Sequence, residues 1–218
     1  MSQSSPRQRS SRAAIGSTIG HQGSTRGALV EIDFQEWIVA QGTNQGCIPA
    51  AQAVRQVAVA LGAPVFSTRY LGTDLADSHT DPDAPENQFV AAMRPPSGAV
   101  ILTKNGRNIF ENPDLAANLD LRVIRALVVV GVLTDFGVRY TAETALDLGL
   151  QVGVVGAACS GTSDAAHQAT LEDLRARGVL IIDWENHPNR ITATGLREVL
   201  ALLGPHAREA GDRDDRAR

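Results

Sequence analysis

The chain has 218 residues, 43% of them hydrophobic, which is enough apolar material for one sizeable α/β domain. A formal net charge of −4 leaves no basic footprint for nucleic acid, and no apolar run approaches the ~18 residues that would span a membrane. Cys47 and Cys159 make no disulfide framework, and no apolar stretch follows Arg7, Arg9 and Arg12 as it would in a secretory signal, so the expected location is cytoplasmic.

Residues 1–27 are rich in Ser, Gly, Gln and Arg and are expected to be disordered or an arm that contacts other subunits. The run from Ala28 to Asp33 reads as a first strand, with Glu31 out of place in it and expected to face a polar pocket or a sheet end. Apolar spacing from Cys47 to Leu61 predicts a helix, stopped by Gly62-Ala63-Pro64. Val65–Arg69 is a second strand. The polar, proline-containing stretch over 71–97 predicts a long loop, in which Asp74, Asp77 and His79 are better explained as solvated residues than as metal ligands. Ala99–Thr103 is a third strand and delivers Lys104.

The segment from Ala126 to Gly149 organises the rest. Ala126–Val130 and the residues to Leu133 read as a strand buried on both faces. Thr134 and Asp135 are capping types, and Val138, Thr141, Ala145 and Leu148 follow at helical spacing up to Gly149. Its strand-to-helix turn, Leu133 to Gly137, lies where open α/β sheets bind ligands. A fifth strand over 151–157, a helix from Ser163 to Arg177, a sixth strand over 179–182 and a helix over 194–203 complete the domain. The charged tail from Pro205 is expected to be mobile. This alternation predicts a single domain over 28–204: a doubly wound, mainly parallel, six-stranded sheet with helices on both faces.

Three features carry the chemistry. Asp33 and Lys104 stand at carboxyl ends of strands read as neighbours, close enough to share a pocket, and the Gly137 turn is the third. Lys104 is the only lysine among 20 Lys and Arg residues. In a chain so biased toward arginine, a surviving lysine marks a place where a compact, tunable charge is needed and a bulky planar fork will not serve.

These motifs resemble those of the isochorismatase-like (cysteine hydrolase) family over about residues 28 to 185. Asp33-Phe34-Gln35 resembles its catalytic aspartate motif. Lys104-Asn105-Gly106-Arg107-Asn108-Ile109-Phe110, followed by Leu115, resembles its lysine motif. Gly131-Val132-Leu133-Thr134-Asp135-Phe136-Gly137-Val138, followed by Thr141-Ala142, is similar to the signature of the third catalytic position. The resemblance implies a Rossmann-type three-layer sandwich, a cis peptide at Val132–Leu133 and a homodimer or larger homo-oligomer.

Two departures are informative. Gly137 stands where most members carry the nucleophilic cysteine, as it does in the subgroup that cleaves vinyl ethers without a covalent intermediate. Gly156 stands where many carry an aspartate that braces the site. Arg69-Tyr70-Leu71-Gly72 lacks the Asp-x-His of the nicotinamidase-type metal motif. The reading is a hydrolase or lyase with no metal or cofactor, acting on a small anionic metabolite such as a vinyl ether or biosynthetic intermediate. Asp33 and Lys104 are its catalytic residues, and Gln35, Arg69, Arg107, Phe110, Leu133, Thr134 and Gly137 its substrate-binding ones. One alternative is an inactive relative that binds a metabolite or protein partner; a weaker one is an amidase using Cys159. His167 reads as a structural histidine.

Overall fold

Strand β4 (Ala126–Val132) is buried along its whole length, as its run of aliphatic residues requires. On one side of it lies β1 (Gly27–Ile32), on the other β5 (Gln151–Ser160), and both pair parallel to it. With β2 (Val65–Tyr70), β3 (Val100–Lys104) and β6 (Leu180–Ile182) they form a six-stranded sheet of order β3-β2-β1-β4-β5-β6, parallel throughout. The computed structural model describes residues 27–73, 78–112, 115, 124–183 and 192–204. The amino-terminal arm before Gly27, Asp74 and Asp77, and the tail from Pro205 lie outside them.

Alternation along the strands divides the core in two. Leu29, Val128, Val130 and Val132 face helix α2 (Cys47–Ala60) and the last helix, α5 (Ala193–Leu203). Ala28, Val30, Ile32, Leu127 and Val129 face α3 (Arg139–Asp147) and α4 (Asp164–Ala176). Helix α2 buries Cys47, Ala50, Ala51, Val54 and Ala58, the stripe that its spacing predicts. Ser163 and Thr192 cap α4 and α5 by accepting from the Ala166 and Gly195 N–H groups. A short helix, α1 (Glu36–Val39), follows the first strand and has no counterpart in the sequence reading, because four residues are too few to show a period.

Glu31, next to last in β1, meets the polar surroundings that the sequence reading expects of it. It is 1% exposed and lies against α2, where Arg55 donates from Nε and Nη2 to its two oxygens at 2.6 and 2.7 Å and the Ser67 hydroxyl donates to it at 2.7 Å. Arg55 also donates to the Met93 and Arg94 carbonyls, so both charges are hydrogen-bonded within the fold.

The chain enters at the sheet centre, moves outward to β3, returns beside β1 as β4 and moves outward again. The order therefore reverses between β1 and β4, and the residues that follow these two strands border the crevice at the switch point.

Candidate active site

Asp33 leaves β1 with φ 50°, a left-handed conformation that aspartate tolerates better than most residues. There its carboxylate has two partners. Thr68 Oγ1 accepts the Asp33 N–H at 3.1 Å and donates to Oδ1 at 2.6 Å. Lys104 Nζ donates to Oδ2 at 2.6 Å and to the Gly106 carbonyl at 3.2 Å. Both charged side chains are almost fully buried, at 2% and 6% exposure, and the Tyr70 ring lies 5.3 Å from the ammonium.

The strands that carry this pair are not neighbours. β2 runs between β1 and β3, and the long lysine stem crosses it to reach Asp33. Phe66, Thr68 and Tyr70 alternate along β2, and Thr68 supplies the hydroxyl beneath the crossing. Thr68 and Tyr70 were not singled out in the sequence. The available signal was a pair of hydroxyl residues, Ser67-Thr68, in the middle of a buried strand.

The third element is the turn after β4. The peptide between Val132 and Leu133 is cis, and the Leu133 carbonyl accepts from the Phe136 and Val138 N–H groups. Phe136 breaks helical geometry at φ −122°, ψ −106°. Gly137 follows, and a β-carbon there would lie 3.4 Å from Asp33 Oδ2, 3.6 Å from the Arg107 carbonyl and 2.7 Å from Ile32 Cγ2. A side chain at position 137 would thus point at the acid, and the glycine is closely walled by Ile32. Thr134, fully buried, shares a 2.8 Å hydrogen bond with His167 Nδ1, and Asp135 accepts from the Thr162 N–H and hydroxyl, tying the turn to the start of α4. Burial lowers the His167 pKa from its ordinary 6.5 more than Asp164 and Asp135 raise it.

The remaining sequence candidates divide. The Gln35 amide is buried and donates to the Tyr70 and Asn87 carbonyls while accepting from the Tyr70 N–H, so it joins the ends of β1 and β2. Arg69 points to the other face of β2, donating to Pro82 O and Thr103 Oγ1 at 3.3 Å each. Phe110 packs on the core cluster beneath α3 and α4. Arg107 lies over the Phe136 ring at 4.5 Å. A β-carbon at Gly156 would meet Leu171 at 3.0 Å and Ile181 at 4.0 Å, on the far side of β4 from Asp33.

Neither thiol is poised to react. Both are buried; desolvation pushes Cys47 from 9.0 up to about 12 and raises Cys159 as well. A cavity of about 660 Å³ is bounded by Asn44, Ser160, His167, Glu172, Arg175 and Asp183; it lies between α2, α4 and β6 and does not include Asp33, Lys104 or Gly137. Among the described residues no group of three His, Cys, Asp or Glu side chains is gathered as a metal site. No helix among them is long and apolar enough to cross a membrane.

Fold and site together define a three-layer α/β protein with an acid and an ammonium paired at the switch point of its sheet. The Isochorismatase domain model matches residues 27–186, and the chain belongs to that hydrolase family. It is 32% identical over 165 residues to the isochorismatase family protein YecD of Escherichia coli O157:H7, covering 69% of this chain and 88% of that one. The crystal structure of an isochorismatase family protein from Desulfovibrio vulgaris superposes with a TM-score of 0.69 at 24% identity, covering 81% of this chain and 99% of that chain. A pyrazinamidase/nicotinamidase from Streptococcus mutans UA159 superposes with a TM-score of 0.64 at 28% identity, covering 72% and 99%.

Proposed function

We propose that this protein hydrolyses or cleaves a small anionic metabolite, a vinyl ether or related biosynthetic intermediate, by acid–base chemistry without a covalent cysteine intermediate. The observation that carries this reading is the Gly137–Asp33 relationship: no nucleophile stands beside Asp33 Oδ2, yet the acid keeps both of its partners, Thr68 and Lys104.

In this scheme the ionised Asp33 of the Lys104 pair takes up a proton from solvent as substrate desolvates the site, and then delivers that proton to the enol-ether carbon. Lys104, bonded to the same oxygen, stabilises the carboxylate left behind. Water then adds to the oxocarbenium and returns a proton to Asp33, and the hemiketal collapses to an alcohol and a carbonyl compound. Both thiols, with their raised pKa values, weigh against an amidase using Cys159.

The test is a panel of small carboxylated vinyl ethers, with the carbonyl product trapped as a hydrazone. Turnover that persists after iodoacetamide treatment and is lost in Asp33→Asn supports the scheme. Turnover abolished by Cys159→Ala in a folded protein overturns it, and absence of turnover across the panel favours a relative that binds without catalysis.

A further inference from the structure

We infer that Arg107 is the anion anchor of this site and that the group it takes is a planar carboxylate, an assignment that rests on the acid–base reading above. The sequence offers two arginines near the strand ends, Arg69 and Arg107. Register separates them. Arg69 lies opposite Thr103 and Tyr70 opposite Lys104 on β2 and β3. Phe66 and Leu102 belong to the core under α3 and α4, so Thr68 and Lys104, two residues further on, share that face, whereas Arg69 and Thr103 point the other way.

The Arg107 backbone is at the site. Its carbonyl would stand 3.6 Å from a β-carbon at 137, so the residue borders the gap beside Asp33 Oδ2. Its guanidinium lies over the Phe136 ring at 4.5 Å and near the Tyr140 ring at 5.7 Å, and Nη1 reaches the Tyr140 hydroxyl at 3.5 Å. Arg55, Arg139 and Arg177 all have carboxylate partners, whereas no carboxylate among the described residues is within ion-pair distance of Arg107. Lys104 donates to the Gly106 carbonyl, so the ammonium that holds the acid also holds the loop carrying this arginine.

The geometry selects the ligand class. The guanidinium carbon lies over the Phe136 ring and Nη1 reaches the Tyr140 hydroxyl, while the remaining N–H groups lie in the guanidinium's own plane. A carboxylate lying in that plane can accept two parallel hydrogen bonds while the contact with Phe136 persists. An exposed, unpaired guanidinium is available for this without breaking an internal ion pair.

The experiment titrates ¹⁵N-labelled protein with benzoate, with benzamide as the neutral counterpart and inorganic phosphate as the tetrahedral one, following the Gly137 amide and the arginine Nε–Hε signals. Saturable benzoate shifts at Gly137 and Arg107 are expected, with none from benzamide. Arg107→Ala should weaken benzoate at least ~10-fold, on the scale of a lost charge-assisted pair; Arg107→Lys should weaken it less, and Arg69→Ala should leave it unchanged. Unchanged affinity in Arg107→Ala, loss in Arg69→Ala, no saturation in the wild type, or phosphate binding as tight as benzoate would each overturn the assignment. The two readings separate in Asp33→Asn, which is expected to keep benzoate affinity; absence of turnover in the wild type would leave the benzoate result standing.

Discussion

Lys104 Nζ lies 2.6 Å from Asp33 Oδ2 although a whole strand runs between the strands that carry them. The reach suits an extended lysine stem with a compact ammonium at its tip. Arginine would place a longer planar fork in the same buried space, already bounded by Tyr70 and the Gly106 carbonyl. If the pair carries the reaction, Lys104→Arg should cost at least ~10²-fold in single-turnover rate, on the scale of a misplaced catalytic group. Asp33→Asn should cost as much or more, because an amide cannot deliver a proton. Near-wild-type turnover in Lys104→Arg would end the argument from the single lysine.

The same pair makes a stability prediction independent of any substrate. With both side chains nearly fully buried, Lys104→Met leaves the Asp33 carboxylate with Thr68 alone, and should destabilise by about 3–5 kcal/mol in urea denaturation. The double variant Lys104→Met, Asp33→Leu removes both charges and should recover part of that loss. A double variant no more stable than the single one would show that the carboxylate is not left unpaired.

Much of the site was legible because its chemistry sits where a period breaks: Asp33 and Lys104 each end an apolar run, and Gly137 lies one turn past another. Strand order was not legible, since alternation shows that a segment is a strand but not which strand it joins; hence the expectation that the pair occupies adjacent strands. Contacts between distant segments were hidden for the same reason. Glu31 looked misplaced because Arg55 is 24 residues away on α2, and Thr68 looked like an ordinary strand residue because its partner is 35 residues away. Gly137 was legible as a departure from the motif that it resembles, but the Ile32 methyl against it was not.

The thiols should be silent at neutral pH. Desolvation holds Cys47 from 9.0 up to about 12 and raises Cys159, so the folded protein binds these protons more tightly than the unfolded chain does. The linked stability is whole below the unfolded thiol value and is lost as pH rises above about 9.0 toward the folded values. Iodoacetamide should therefore leave both cysteines unmodified in the native protein at pH 7.5, by intact mass. Cys47→Ala, Cys159→Ala should show a shallower fall in urea midpoint between pH 9 and 10.5 than the wild type; equal slopes would show that the thiols do not contribute.

His167 predicts the opposite side of the pH range. Its folded-state pKa is lowered, chiefly by burial, so its contribution is present above the unfolded value of 6.5 and is lost as pH falls through the folded one. His167→Asn retains a side chain able to hydrogen-bond Thr134 while removing the titration. The variant should lose less stability than the wild type between pH 7.5 and 5, read as the shift in urea midpoint. Parallel slopes would assign the acid sensitivity to other groups.

Gly137 is held by space and not by backbone conformation, because it is not among the residues with positive φ. A β-carbon there would come to 2.7 Å from Ile32 Cγ2, a branch fixed at the β-carbon of a side chain with no exposure, so Ile32 cannot move aside by rotating a distal bond. Gly137→Ala should accordingly destabilise by about 1–3 kcal/mol, as overpacking does in a close-packed core. Gly137→Cys carries the same β-carbon and should be no more stable. It should also fail to gain rapid iodoacetamide reactivity unless the wall around it has shifted. Ile32→Ala removes the offending methyl at its own cavity cost of about 2–5 kcal/mol. Combined with Gly137→Ala, the new methyl should fill part of that cavity, so the double variant is expected to be more stable than the sum of the singles by at least ~0.5 kcal/mol. Strict additivity would mean that Ile32 does not set the limit at position 137, and a restored cysteine there would then be structurally permitted.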